Sequence, residues 1–261
     1  RSYDQWNQME YKEKKLHIED MADLYIDTAK KYDHSAIFVH PNPGDLENTQ
    51  WLLEVIREKT GDEYYLMMHG DPTWAIPDGD TMMDFSTDMY EAPEKLNEIS
   101  RKRLEESLEF AAKLDAKGHL LDGFALCSDY CFNTNPFFSC EKFDELIVPY
   151  LKEVITEYRK MGYYVIKHTD GNIMPIVKQM ADCRPHAIHS IDPQGGVDLT
   201  EVRRIVGETG RQRQLRSAAN RHRRGVPAGC APLPAAGDGE RKGIYFLYLQ
   251  LRVHRPAAQA V

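Results

Sequence analysis

The chain lacks any apolar run approaching the roughly 20 residues that a membrane span needs, and no signal-peptide pattern opens it. Both absences point to a cytoplasmic protein with no membrane attachment. Cysteine is sparse: the five residues (Cys127, Cys131, Cys140, Cys183 and Cys230) are odd in number and form no CxxC pair, which suits a reducing compartment. Positive charge is also short. Against 41 Asp and Glu stand 33 Lys and Arg, a net of −8. That balance argues against a nucleic-acid-binding body, because phosphate contacts need clustered cations. No GxGxxG follows the first apolar segment and no GxxxxGK[ST] occurs anywhere, so nucleotide-binding folds lose support.

What is present is enough to build a core. With 261 residues, 42% of them hydrophobic and 28% charged, the chain suits one large α/β domain or two small ones. Five short apolar segments each run into a polar or glycine-rich turn and then a helical pattern: 36–40, 64–69, 124–129, 163–168 and 187–192. Helical spacing marks 45–59, 93–117, 141–161, 173–182 and 198–207. The third is well marked, with Phe143, Leu146, Ile147, Tyr150, Leu151, Val154 and Ile155 on one face. Strands alternating with helices of this length predict a parallel sheet, open or closed into a barrel.

The polar residues decide between the two. His40, His69, Asp71, Asp129, His168, Asp170 and Asp192 all fall at or just past the carboxyl ends of their strands. In a barrel those ends converge on one face, whereas an open sheet concentrates polar residues near one switch point. Five strands of five favour the barrel. Each residue also has a plain reading, since a single His at a strand end is more often a hydrogen-bonded loop residue than a ligand. His189 lies inside a strand pattern and reads as structural. Cys127 and Cys131 read as packing, and Pro72, Trp74 and Gly171 as loop-shaping residues.

The segment His168-Thr169-Asp170-Gly171-Asn172, the strand before it, and the later IDPQGGVDLTEVRRIVG resemble the uroporphyrinogen decarboxylase superfamily. Asp129 with the following FNTNPFFS and the helix around PYLKEVI support the resemblance, which covers about residues 30–210. The superfamily also holds corrinoid-dependent methyltransferases. The resemblance implies a (β/α)8 barrel, in agreement with the strand-end argument. Uroporphyrinogen decarboxylases themselves carry an amino-terminal arginine-rich motif, which is missing here. They also place an Asp after the first barrel strand, where this chain has His40. A porphyrinogen with several carboxylates needs several cations in its pocket, and these loops supply acids and histidines.

The methyltransferase branch binds zinc through His-x-Cys on the strand that here ends in His168, with a further Cys near the carboxyl terminus. This chain reads His168-Thr169-Asp170, a carboxylate in place of the thiolate. The resemblance therefore implies His168 and Asp170 as metal ligands, for zinc or a harder ion, or else a simple acid–base pair. It implies Asp129, His69 and His40 as catalytic residues, and Asp71, Asn133, Asp192 and Gln194 as substrate contacts. Expected with them are a corrinoid carried by a partner protein, a small-molecule substrate and a homodimer. Two alternatives stay open: decarboxylation of a tetrapyrrole, and a non-catalytic barrel that binds a corrinoid or a small acid.

Domain organisation divides at about residue 210. Residues 1–210 carry nearly all the acid and read as the barrel, with its amino-terminal part expected to be truncated because Arg1 stands where Met is usual. Residues 211–261 are rich in Arg, Ala, Pro and Gly, with neither helical nor strand periodicity. A back-translation of GIYFLYLQLRVHRPAAQAV, read one base along, gives GYIFSTSNCVYTGLPLKRY, the type of ending the superfamily has. NRHRRGV likewise yields IDTGV, the end of its penultimate strand. The tail is therefore expected to be an out-of-frame reading that begins just after Gly210. The restored text would supply a Cys as third ligand. The chain as written is expected to lack the last two βα units and to be poorly soluble or partly unfolded.

Overall fold

The computed structural model describes residues 3–209. Within them the chain forms two compact units that meet between Met67 and Met68, inside strand β2 (Tyr65–His69). The first unit contains helix α1 (Tyr3–Asn7), α2 (Tyr11–Lys31), strand β1 (Ala36–Phe38), helix α3 (Leu46–Thr60) and the start of β2. Helix α2 buries Ile18, Ala22, Ile26 and Ala29, spaced to lie along one face, and packs against α3. Asp45 caps α3 by accepting the Asn48 N–H at 3.1 Å. Strand β1 pairs in parallel with β2, Ile37 opposite Leu66.

In the second unit, β2 is followed by α4 (Met82–Glu91), α5 (Pro93–Asp115), β3 (Gly123–Leu126), α6 (Cys140–Leu146) and α7 (Val148–Lys160). Then come β4 (Tyr164–His168), α8 (Val177–Asp182), β5 (Ala187–His189) and α9 (Leu199–Thr209). Every residue of β3 is buried, as expected of a parallel strand covered on both faces. Strand β3 pairs in parallel with β4, and β4 with β5. The strand order β1-β2-β3-β4-β5 follows the sequence without reversal. A doubly wound sheet reverses order at its switch point; an unbroken order with helical crossovers is the topology of a β/α barrel. The fold is therefore α/β and barrel-type, with five parallel strands among the described residues.

Two helical segments differ from their sequence pattern for local reasons. The pattern over 141–161 is split into α6 and α7 at Ile147. Pro149 has no N–H to give the preceding turn, and its ring crowds the carbonyl four residues back. The apolar spacing nevertheless holds across the break, with Phe143, Leu146, Tyr150, Leu151, Val154 and Ile155 all buried. The pattern over 173–182 becomes helical only from Val177, because the Met174 N–H is taken by the Asn172 side chain at 3.1 Å and Pro175 follows. The expected frame shift after Gly210 and the closing βα units lie outside the described residues.

Candidate metal centre

Strands β3 and β4 end side by side, and their following loops are tied together by backbone groups. The Tyr130 N–H donates to Thr169 Oγ1 at 2.9 Å, and the Asp170 N–H donates to Asp129 Oδ1 at 3.1 Å. Further out, the Asn172 N–H donates to Phe132 O at 2.9 Å. Gly171 has φ 80°, and a Cβ there would stand 2.5 Å from Phe132 O. Only glycine allows both that backbone conformation and the close approach. This explains the glycine of the HTDGN segment in physical terms.

Beneath the loops lies an interior bracket. Lys167 is fully buried, and its three ammonium protons are all placed: on Asp71 Oδ2 at 2.8 Å, Ser128 O at 2.9 Å and Leu126 O at 3.2 Å. Its Nζ also lies 4.0 Å from the centre of the Tyr130 ring. Asp71 in turn accepts from Thr73 N at 3.0 Å, Thr73 Oγ1 at 2.6 Å and Ser128 N at 2.9 Å. Burial pushes the Asp71 carboxyl upward, but the Lys167 ammonium and the donated hydrogen bonds outweigh it and hold the group below the usual aspartate range. Burial lowers Lys167, and Asp71 offsets part of that effect.

Above the bracket, Asp129, His168 and Asp170 converge. One ligand atom from each lies within 4.8 Å of the others. His168 Nε2 stands 3.8 Å from Asp129 Oδ1 and 3.8 Å from Asp170 Oδ2. A tetrahedral ion with bonds of roughly 2.0–2.2 Å sets its ligand atoms about 3.4 Å apart, so small side-chain adjustments bring all three onto one centre. One nitrogen and two carboxylates leave a face open, and the donor set fits zinc or a harder divalent ion. The Asp129 and Asp170 side chains are 50% and 63% exposed, and His168 is 24% exposed, so the cluster faces solvent.

The other candidate residues are distributed as follows. Asp71 is largely buried, its side chain only 6% exposed and bonded within the bracket, and it is among the residues lining an open cleft at the end of β2. His69 is exposed at the end of β2 and lines an open cleft of about 450 Å³ with Arg103, Glu106 and Phe110; it does not belong to the three-residue cluster. His40 belongs to the first unit, where its backbone N–H and C=O both bond the Tyr25 hydroxyl, at 2.9 and 3.0 Å. Asn133 is exposed on the loop after β3. Asp192 Oδ1 accepts the Gln194 N–H at 2.8 Å, forming a turn after β5 that leaves Gln194 exposed. Burial pushes the Cys127 thiol up to about 11 and that of Cys131 to about 12, so both are neutral near pH 7.

Sequence reasoning missed Lys167, Thr169 and the contact of His189 with His168. A lysine inside the apolar strand YVIKH was a visible signal, since a charge there needs a buried partner. His189 is set opposite His168 by the β4–β5 register, and their Nδ1 atoms are 2.6 Å apart. Burial, with His168 beside it, lowers the His189 pKa against an opposing effect of Asp170.

Comparison with known proteins bears on the family and the fold. The uroporphyrinogen decarboxylase (URO-D) family matches residues 75–213, which include the whole cluster and its bracket except Asp71 and Thr73. Among solved structures, a methyltransferase from Methanosarcina mazei superposes with a TM-score of 0.56 at 17% identity. That match covers 72% of this chain and 66% of the other, so this chain spans just under two thirds of its length. A likeness at that identity speaks to fold. No curated protein matches significantly. With more than half its length matched, the chain belongs to the uroporphyrinogen decarboxylase (URO-D) family.

Proposed function

We propose that the protein is a metal-assisted methyltransferase, exchanging a methyl group between a small molecule and a corrinoid carried on a separate cytoplasmic protein. The observation that carries this reading is the convergence of Asp129, His168 and Asp170 at the carboxyl ends of β3 and β4. His168 Nε2 and the two carboxylates would hold the ion. When bound there, a divalent ion such as zinc supplies Lewis acidity that lowers the pKa of a thiol, alcohol or water. The Methanosarcina mazei neighbour, a methyltransferase, supports methyl transfer by analogy of fold.

The chain's own residues have separate tasks in this proposal. Asp129 serves as a ligand rather than as an acid or base, because its carboxylate lies beside His168. The hydrogen bond from Asp170 N–H to Asp129 Oδ1 links the two loops that carry the carboxylates. Asn133, Asp192 and Gln194, on the loops after β3 and β5, are the proposed substrate contacts. Asp71 and Lys167 brace the site from below.

Tetrapyrrole decarboxylation is the second reading, favoured by the name of the matched family. The charge of the cluster weighs against it. Asp129 and Asp170 repel a polycarboxylate, and Lys167, the adjoining cation, is buried and already paired with Asp71.

The test is metal content and zinc affinity of the full chain and of His168→Ala, together with methyl transfer to a corrinoid protein. One equivalent of zinc in the parent, lost in His168→Ala along with methyl transfer, is the expected result. A protein that binds no divalent ion yet decarboxylates porphyrinogens would overturn the proposal.

A further inference from the structure

We propose that His189 is a positioning residue, which fixes the tautomer and ring orientation of His168 so that Nε2 is the atom offered to a metal. This inference rests on the metal reading above.

The β4–β5 register places His168 directly opposite His189, and in a parallel pair such residues point to the same face of the sheet. The backbone locks this arrangement. The Thr169 N–H donates to His189 O at 2.8 Å, and the Ser190 N–H donates to Thr169 O at 3.4 Å. The two imidazoles then lie edge to edge, with centroids 4.8 Å apart and planes 29° apart. Their Nδ1 atoms meet at 2.6 Å. A neutral imidazole carries one N–H and one lone pair. At that separation two lone pairs or two N–H groups repel, so a single proton lies between the rings.

Two arrangements satisfy this. In the first, His189 donates and the His168 proton is left on Nε2, facing Asp129 and Asp170; no nitrogen of His168 is then free to ligate in their direction. In the second, His168 donates from Nδ1 and Nε2 presents a lone pair to the same point, 3.8 Å from each carboxylate. Only the second is compatible with metal held by this cluster. His189 therefore acts as the acceptor that a ligating histidine needs on its far nitrogen, a place more often filled by a carboxylate or carbonyl.

The experiment compares zinc affinity, by competition with a chromophoric chelator, in the full chain and in two variants. His189→Phe keeps a flat ring and removes the acceptor; His189→Asn removes the ring and keeps an acceptor. His189→Phe is expected to weaken zinc binding by about 10–100-fold, the usual cost of losing such a partner, and His189→Asn by less. Equal affinity in His189→Phe and the parent overturns the inference while leaving the metal reading intact. Absence of zinc binding in the parent overturns the metal reading itself. Nitrogen-resolved NMR of the zinc-loaded parent tests the tautomer without mutation. A His168 proton on Nδ1 supports the inference, and one on Nε2 overturns it whatever the variants do.

Discussion

Lys167 and His168 are consecutive on β4, yet one is fully buried and the other is 24% exposed at the barrel mouth. Ser128 and Asp129 repeat the contrast one strand away, Ser128 buried and Asp129 half-exposed. Side chains alternate along an extended segment, so each strand end contributes one residue inward and the next outward. The inward set becomes a closed network in which each charge has a partner. The outward set offers three candidate ligand atoms that face solvent. The lesson is that a cluster of charges near a strand end divides into brace and site by a single step in the chain.

That division can be tested by its energetics. The largest effect is expected from Lys167→Met, which leaves Asp71 as an uncompensated buried charge and should cost about 3–5 kcal/mol in denaturant unfolding. Adding Asp71→Leu should recover only part of the loss, because Ser128 N–H and Thr73 then lose their acceptor. A Lys167→Met protein as stable as the parent would break the comparison, since the bracket would then be dispensable.

A similar magnitude is expected from acid. His186 accepts the Val165 N–H on Nδ1 at 2.9 Å, and burial first, then Arg159, depresses its pKa from 6.5 to about 4. The unfolded chain takes up this proton near pH 6.5 while the folded chain resists until about pH 4. Stability is thus full above the unfolded value and falls as pH drops through that window. At about 1.4 kcal/mol per pKa unit the loss is ~3 kcal/mol. Unfolding measured at pH 7 and pH 4 should show this difference, and His186→Gln should flatten it. Asp71 acts with the same sign at lower pH, its contribution being lost below the ordinary aspartate range.

A smaller cost, about 1–3 kcal/mol, is expected for Thr169→Val, which leaves the buried Tyr130 N–H without its acceptor. Smallest on stability is Asp170→Asn, because the side chain is 63% exposed. Its melting temperature should match the parent while its zinc affinity falls. If Asp170→Asn instead unfolds the protein, the mouth is structural and the division between brace and site fails.

Much of this was legible before the structure. Alternating apolar segments and helical spacing located all five strands and helices α3, α5 and α9 within a few residues of their bounds. The site was legible where chemistry sits next to itself in sequence, as in His168-Thr169-Asp170. It was illegible where residues distant in the chain must meet. The pairing of Asp71 with Lys167 could not be read, because a strand-end carboxylate carries no mark of a lysine 96 positions later. His189 read as structural because its meeting with His168 depends on strand register, which the local text does not encode. Helix α2 went unread because its apolar residues are diluted by charges on the other three faces.

The sequence by itself determined the fold class, the superfamily resemblance and the residue types gathered at the strand ends. Hydrophobic period and turn chemistry are local properties, and local properties are written in the chain. Tertiary structure alone decided which of those polar residues would be buried partners and which would converge as candidate ligands. That choice turns on which side chains parallel strands bring within hydrogen-bonding reach, and on whether water or protein then surrounds them.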